Sequence, residues 1–355
     1  MRLIKKTFFS LAKPKIIFVE GNGKELVKEA ITSVLGKFLK IKKIKNLPLF
    51  FDQKEIILLE KREDFEFLMK ESSFPILILT HFEDISSEEI FFASEKEKIE
   101  PTVKIIENLP VFGYLILNHD DETVRELKEK TRAHFLTLGF AQEANLKASD
   151  VRINHGTNFK LHYNGTVLPV WLEKIFGREQ IYTALTVISI AKILKLNLVE
   201  VSMAFKNYKS LPGKMRVIEG IKNSWILDDS ESATHISMIE ALEILGKINW
   251  AKRKIAVLGD VTSAGKYAVE AHETIGEKVA KNAEILFTFG QRAKFIAKGA
   301  FEKGMDGAKI FEFNTIDEGK PKLKAEINEG DLILVDGSKE MEMSKIVEEI
   351  KISQK

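Results

Sequence analysis

The chain contains no cysteine. Disulfides and thiolate chemistry are therefore excluded, and the composition fits a reducing compartment. An excess of either charge is also lacking: Lys+Arg 54 against Asp+Glu 52 leave a formal net charge of +2 over 355 residues. Nothing in that balance compels a nucleic-acid or membrane partner. No apolar run reaches the ~18 residues needed to span a bilayer. The N-terminal stretch MRLIKKTFFSLAKPKIIF does not read as a signal peptide, because Lys13, Pro14 and Lys15 break its short apolar segment and no A-x-A-like site follows. These absences predict a cytoplasmic protein with no membrane span and no nucleic-acid partner. Internal repeats and low-complexity tracts are missing too. His81, His119, His134, His155 and His162 do not stand at ligand-pair spacings.

What is present is an alternation of apolar runs with amphipathic stretches. The runs are KIIFV (15–19), EIILLE (55–60), PILILT (75–80), YLILN (114–118), HFLTLGF (134–140), KIAVLGD (254–260), EILFTFG (284–290) and DLILVDG (331–337). Continuous Ile/Leu/Val runs suit parallel strands covered on both faces, so the fold class predicted is α/β with doubly wound, mostly parallel sheets. In such sheets ligands gather at the carboxyl ends of strands. The segment NFKLHYNGTVLPVWL differs: Asn164-Gly165 between two alternating segments predicts a hairpin. A long helix, REQIYTALTVISIAKILKL, follows. The Pro-Gly break near Leu211 then predicts two domains, 1–211 and 212–355.

IIFVEGNGKELVKEAI (16–31) reads as a buried strand, a glycine loop and a helix. Gly21 and Gly23 let a ligand approach the backbone, Lys24 can reach a phosphate, and a helix N-terminus favours an anion. The pattern G-x-x-x-x-G-K-[ST] is incomplete, however: Glu25 stands where the Mg²⁺-ligating hydroxyl belongs. On its own the loop is equally a tight strand-to-helix turn. The strand-end acids Asp228, Asp229, Asp260 and Asp336 can hold a metal or a sugar hydroxyl, and each can instead cap the next helix.

Taken together and in order, several segments resemble the Mur ligase family, most closely its MurF branch, which adds D-alanyl-D-alanine to a UDP-N-acetylmuramoyl tripeptide. KPKIIFVEGNGKELVKEAI is similar to the family's loop stretch, one residue shorter. ILLE ends in Glu60, where the family has a metal-ligating glutamate. IENLPVFGYLILNHDDETV keeps Asn118, Asp120 and Asp121, and SLPGKMRVIEGIKNSWILDDS keeps Asp228 and Asp229. KIAVLGDVTSAGKYAVEAH and LILVDGSKEMEMSKIVEEI are similar to two further C-terminal motifs.

The resemblance implies a P-loop-type central ATPase domain followed by a Rossmann-like C-terminal domain, without the family's N-terminal UDP-sugar domain. It implies ATP and Mg²⁺ as cofactors. Lys24 and Glu60 would be catalytic. Gly21, Asn22, Gly23, Lys24, Asn118, Asp121, Lys214, Asp228 and Asp229 would bind the cofactor, and Glu60, with Glu25 and Glu88 as further candidates, would hold metal. The family's chemistry activates a carboxylate as an acyl phosphate that an amine then attacks; the enzyme contributes positioning and charge neutralisation.

The chain also departs from the pattern. Glu88 stands where the family has a metal-binding His, and Thr102 where it has a carbamylated Lys. Glu179, Gln180 and Thr183 replace His, Asn and Asn of the adenine-side motif, and Lys214 and Lys339 replace arginines. Arg to Lys keeps the charge and loses the bidentate fork. Three readings stand at this point. One is a homologue with an altered ATP/Mg site and a binding or regulatory role, its partner a nucleotide, a peptide or a cell-wall synthesis protein. The second is an active ATP-dependent carboxylate–amine ligase. The third is a look-alike that takes an unrelated ligand in the cleft between its domains.

Overall fold

A computed structural model describes residues 2–48, 50–52, 54–60, 64–81, 102–231 and 233–352. Its contacts divide the chain into two compact units. The first comprises Met1–Val151, Phe159–Trp171 and Arg178–Tyr208; the second comprises Arg152–Asn158, Leu172–Gly177 and Lys209–Lys355.

The first sheet has nine strands in the order β2-β3-β1-β4-β5-β6-β7-β8-β9. They are β1 Lys15–Glu20, β2 Lys40–Ile44, β3 Glu55–Leu59, β4 Phe74–Leu79, β5 Tyr114–Asn118, β6 His134–Gly139, β7 Leu146–Ile153, β8 Gly156–Tyr163 and β9 Thr166–Glu173. From β2 through β7 every pairing is parallel. The predicted apolar runs fall on these strands because both sheet faces are covered. Ile16 and Phe18 pack into a core with Phe9, Phe65, Leu77 and Leu115. Their neighbours Ile17 and Val19 are equally buried and face the opposite way, where the helices Lys24–Ala30 and Arg178–Ile193 pack. Helix Arg178–Ile193 is buried nearly all round, which explains its lack of a polar face.

Asn164 and Gly165 have φ of 45° and 77°, the two positive values that a tight hairpin turn requires. Strand β2 was not apparent in the sequence. It is KIKKI, a short lysine-rich edge strand, and edges are where charge replaces apolar patterning.

The second sheet has six strands in the order β10-β11-β15-β12-β13-β14. These are β10 Arg216–Gly220, β11 Ser224–Asp229, β12 Arg253–Gly259, β13 Ile285–Phe289, β14 Ile310–Phe313 and β15 Asp331–Asp336. Only the β10–β11 pairing is antiparallel; the rest are parallel. Alternate residues serve two cores. Leu227, Leu258, Leu286 and Leu334 meet Met238, Leu242 and Ile275 on one face. Ile226, Val257, Phe287 and Val335 meet Leu323 and Ile346 on the other. Two of the covering helices begin in capping boxes, Thr234 with Ser237 and Thr315 with Glu318.

Candidate functional site

The carboxyl ends of β1, β4 and β5 frame a cleft, which helix Arg178–Ile193 closes on one side. Gly21 and Gly23 take φ of 106° and 73°, so the loop after β1 uses both glycines for backbone that side chains resist. Gly23 caps the helix Lys24–Ala30. The loop is tied to the end of β4: Asn22 N donates to His81 O at 2.7 Å, and Thr80 Oγ1 donates to Asn22 O at 2.5 Å. A methyl group at Gly21 would lie 2.4 Å from Thr80 Oγ1.

One at Gly23 would lie 2.4 Å from Glu179 Oε1. The Glu179 carboxylate therefore rests on the glycine where a phosphate-cradling loop presents open backbone.

Lys24 is half-exposed and reaches back to Glu20 at 4.0 Å. Glu25 turns away from the cleft: its carboxylate, largely exposed, receives Lys28 Nζ at 2.9 Å. Lys28 is buried, and a buried ammonium demands such a counter-charge. The i,i+3 spacing of Glu25 and Lys28 was the sequence signal for this pair. Glu60 lies at the same edge just past β3, with Lys45 Nζ 3.8 Å from its carboxylate. Glu88 lies outside the described residues, and Thr102 is buried. Among the described residues, no group of three His, Asp or Glu could hold a metal ion.

Asn118 ends β5, lines the cleft and accepts from Asp120 N at 3.0 Å. Asp121 is buried and caps the next short helix, accepting from Val124 N at 2.9 Å. The strand-end aspartate of greater consequence is Asp120. It accepts from Phe140 N at 2.7 Å, Ala141 N at 2.9 Å and Tyr182 Oη at 2.9 Å. Burial pushes the Tyr182 phenol up to about 12, while Arg178, whose Nη2 donates to Tyr182 Oη at 3.2 Å, opposes that rise. The phenol stays protonated and keeps donating to Asp120. Arg178 also lies over the Phe140 ring at 4.6 Å. The roles of Tyr182, Thr80 and Asp120 are not legible in the sequence because their partners are distant along the chain.

Gly21, Asn22, Gly23, Lys24, Glu60, Asn118 and Asp121 thus share the carboxyl edge of the first sheet. Lys214, Asp228 and Asp229 belong to the second unit. There the buried Asp228 accepts from Gly213 N at 2.8 Å, Arg216 Nε at 3.3 Å and Ser230 Oγ at 2.7 Å. Asp229 lies in register beside Asp336. Asp260 accepts from Arg292 N at 3.0 Å and Ala293 N at 2.6 Å. Buried His272 accepts from Val261 N at 3.0 Å and offers its other ring nitrogen to Ala268 O, a structural role.

Comparison with known proteins places these features. Residues 73–191 match the Mur ligase middle domain, and residues 213–339 match the Mur ligase glutamate ligase domain. The UDP-N-acetylmuramate–L-alanine ligase of Geobacter sulfurreducens is 24% identical over 169 residues, which cover 47% of this chain and 36% of that protein. The chain spans between 36% and 58% of the length of the first curated relatives it matches. Among solved structures, MurF of Acinetobacter baumannii superposes with a TM-score of 0.78 at 17% identity, covering 97% of this chain and 78% of that one. MurF of Thermotoga maritima, in complex with ADP, gives 0.72 at 18% identity, covering 97% and 81%.

Proposed function

This chain belongs to the Mur ligase family, carrying its middle and glutamate ligase domains, and from that premise we propose that it acts in peptidoglycan precursor synthesis through an altered ATP/Mg²⁺ site, with weak or absent ligase activity and a binding or regulatory role. The observation that carries this reading is the Glu179 carboxylate seated on Gly23. A triphosphate brought to that loop would meet an anion at contact distance. One further feature supports it: Glu25 is committed to Lys28. Phosphoryl transfer has few other sources of charge neutralisation. The Glu179 carboxylate on Gly23 does not fit a triphosphate in this arrangement, so no catalytic step is assigned through it.

The active-ligase reading rests on one observation: Lys24 is half-exposed and only 4.0 Å from its nearest carboxylate, so it is available to a phosphate if Glu179 swings aside. Titrating Mg²⁺-ATP into the full chain by calorimetry separates the two. Absence of binding at millimolar ATP, with binding gained in Glu179→Ala, supports the altered site. Tight Mg²⁺-dependent binding that Lys24→Ala abolishes would overturn it in favour of the ligase.

A further inference from the structure

The helix Arg2–Ala12 carries apolar side chains on its outward side as well as on its inward one. Its inward side places Phe9, fully buried, against Phe51 and Phe67, with ring centroids at 5.3 and 6.0 Å. Lys6 also turns to this side, pairing with Asp64 at 2.8 Å and lying over the Phe67 ring. The outward stripe is apolar: Ile4, Phe8 and Leu11 stand at i, i+4 and i+7 and are 52%, 40% and 76% exposed. Phe50, 76% exposed, extends the stripe, its ring 5.8 Å from that of Phe8. Solvent-facing helix stripes are ordinarily polar, and a contiguous apolar patch of this kind marks a contact surface.

Lysines stand beside the patch. Lys5, Lys13 and Lys15 flank it along the chain, and Lys13 and Lys15 are exposed. The carboxylates next to it are already engaged, Asp64 by Lys6 and Asp52 by Lys40 at 2.9 Å. Among the described residues none pairs with Lys5, Lys13 or Lys15.

We propose that this stripe docks the protein on an anionic lipid surface, with Ile4, Phe8, Leu11 and Phe50 entering the interface and the flanking lysines meeting the headgroups. A basic helix with Phe and Leu on one face is the chemistry that binds such surfaces in the plane of the interface. A second copy of the chain is a poorer occupant. Two aromatic and two aliphatic side chains, already partly covered, fall well short of the roughly 800 Å² per partner of a stable protein interface. The docking is peripheral: no described helix is long and apolar enough to cross a membrane.

The test is co-sedimentation of the full chain with phosphatidylglycerol-containing vesicles and with pure phosphatidylcholine vesicles. The expected result is at least tenfold tighter binding to the anionic vesicles, weakening as salt rises. The pair Leu11→Gln, Phe50→Ser should lower that affinity at least tenfold. The pair Lys13→Glu, Lys15→Glu should lower it severalfold and flatten the salt dependence. Thermal midpoints should not fall in either pair, because all four side chains are exposed. Equal affinity for both vesicles, no binding to either, or a concentration-dependent dimer that Leu11→Gln, Phe50→Ser disperses would each overturn the proposal.

Discussion

Asp120 and Asp260 occupy matching places in the two sheets, and Asp336 occupies a third such place that is treated in the opposite way. Asp120 follows β5 and accepts two backbone amides from the loop after the adjacent strand, β6. Asp260 follows β12 and does the same for the loop after β13. In each case a glycine ends or directly follows the neighbouring strand, Gly139 or Gly290, where a methyl group would lie 2.6 or 2.5 Å from the carboxylate. Asp336, at the end of β15, is fully buried; no donor among the described residues reaches its oxygens in full hydrogen-bond geometry, and only the adjoining Gly337 amide and the Lys214 charge favour its ionised form. The same residue type at the same kind of position is a latch where amides converge and a poorly satisfied group where they do not.

Several measurements can break or sharpen that contrast. The largest effect is expected at Asp336. Burial raises its carboxyl from 3.8 to about 8, with the Gly337 amide and then Lys214 pulling the other way. A folded-state value above the unfolded one means that its contribution is fully present below pH 3.8 and is lost as pH rises toward about 8. Wild-type stability should therefore slope downward across that window, at up to roughly 1.4 kcal/mol per pH unit. Asp336→Asn should remove the slope and be the more stable protein at pH 9. Urea midpoints that run parallel for the two proteins from pH 4 to pH 9 would refute the assignment.

Asp120→Ala comes next, with an expected loss of about 3 kcal/mol, because three donors are left without their acceptor. Asp260→Ala should cost about 2 kcal/mol, since two amides are freed at a more accessible edge. The smallest change is Tyr182→Phe, about 1 kcal/mol for one hydrogen bond. Chemical denaturation reads all three. If Asp260→Ala cost more than Asp120→Ala, the count of donors would not be what sets the strength of the latch.

Much of this architecture was legible in the sequence. The runs that became β1, β3, β4, β5, β6, β12, β13 and β15 are continuous and apolar because helices cover both faces of their sheets. Asn164-Gly165 announced its turn through the positive φ values only such residues accept readily. Strand β2 was hidden by its lysines. The site was less legible. Glu60, Asn118 and the glycine loop do reach one edge of the first sheet. Asp121 is occupied as a helix cap and Glu25 as the counter-ion of a buried lysine. Asp120 was visible only as part of a family motif, and Thr80 and Tyr182 went unremarked, because what makes all three matter is a partner far away along the chain.

The sequence by itself determined which segments are strands, the kind of sheet they build and the family motifs they carry, since those follow from local period and from residue types in order. Tertiary structure alone decided what each carboxylate does. Glu179 meets Gly23 only because a buried helix packs beside the loop, Asp120 gathers amides from a neighbouring strand's loop, and Asp336 is closed off from water. A charge acts through the groups within a few ångströms of it and through the water it has lost, and folding sets both.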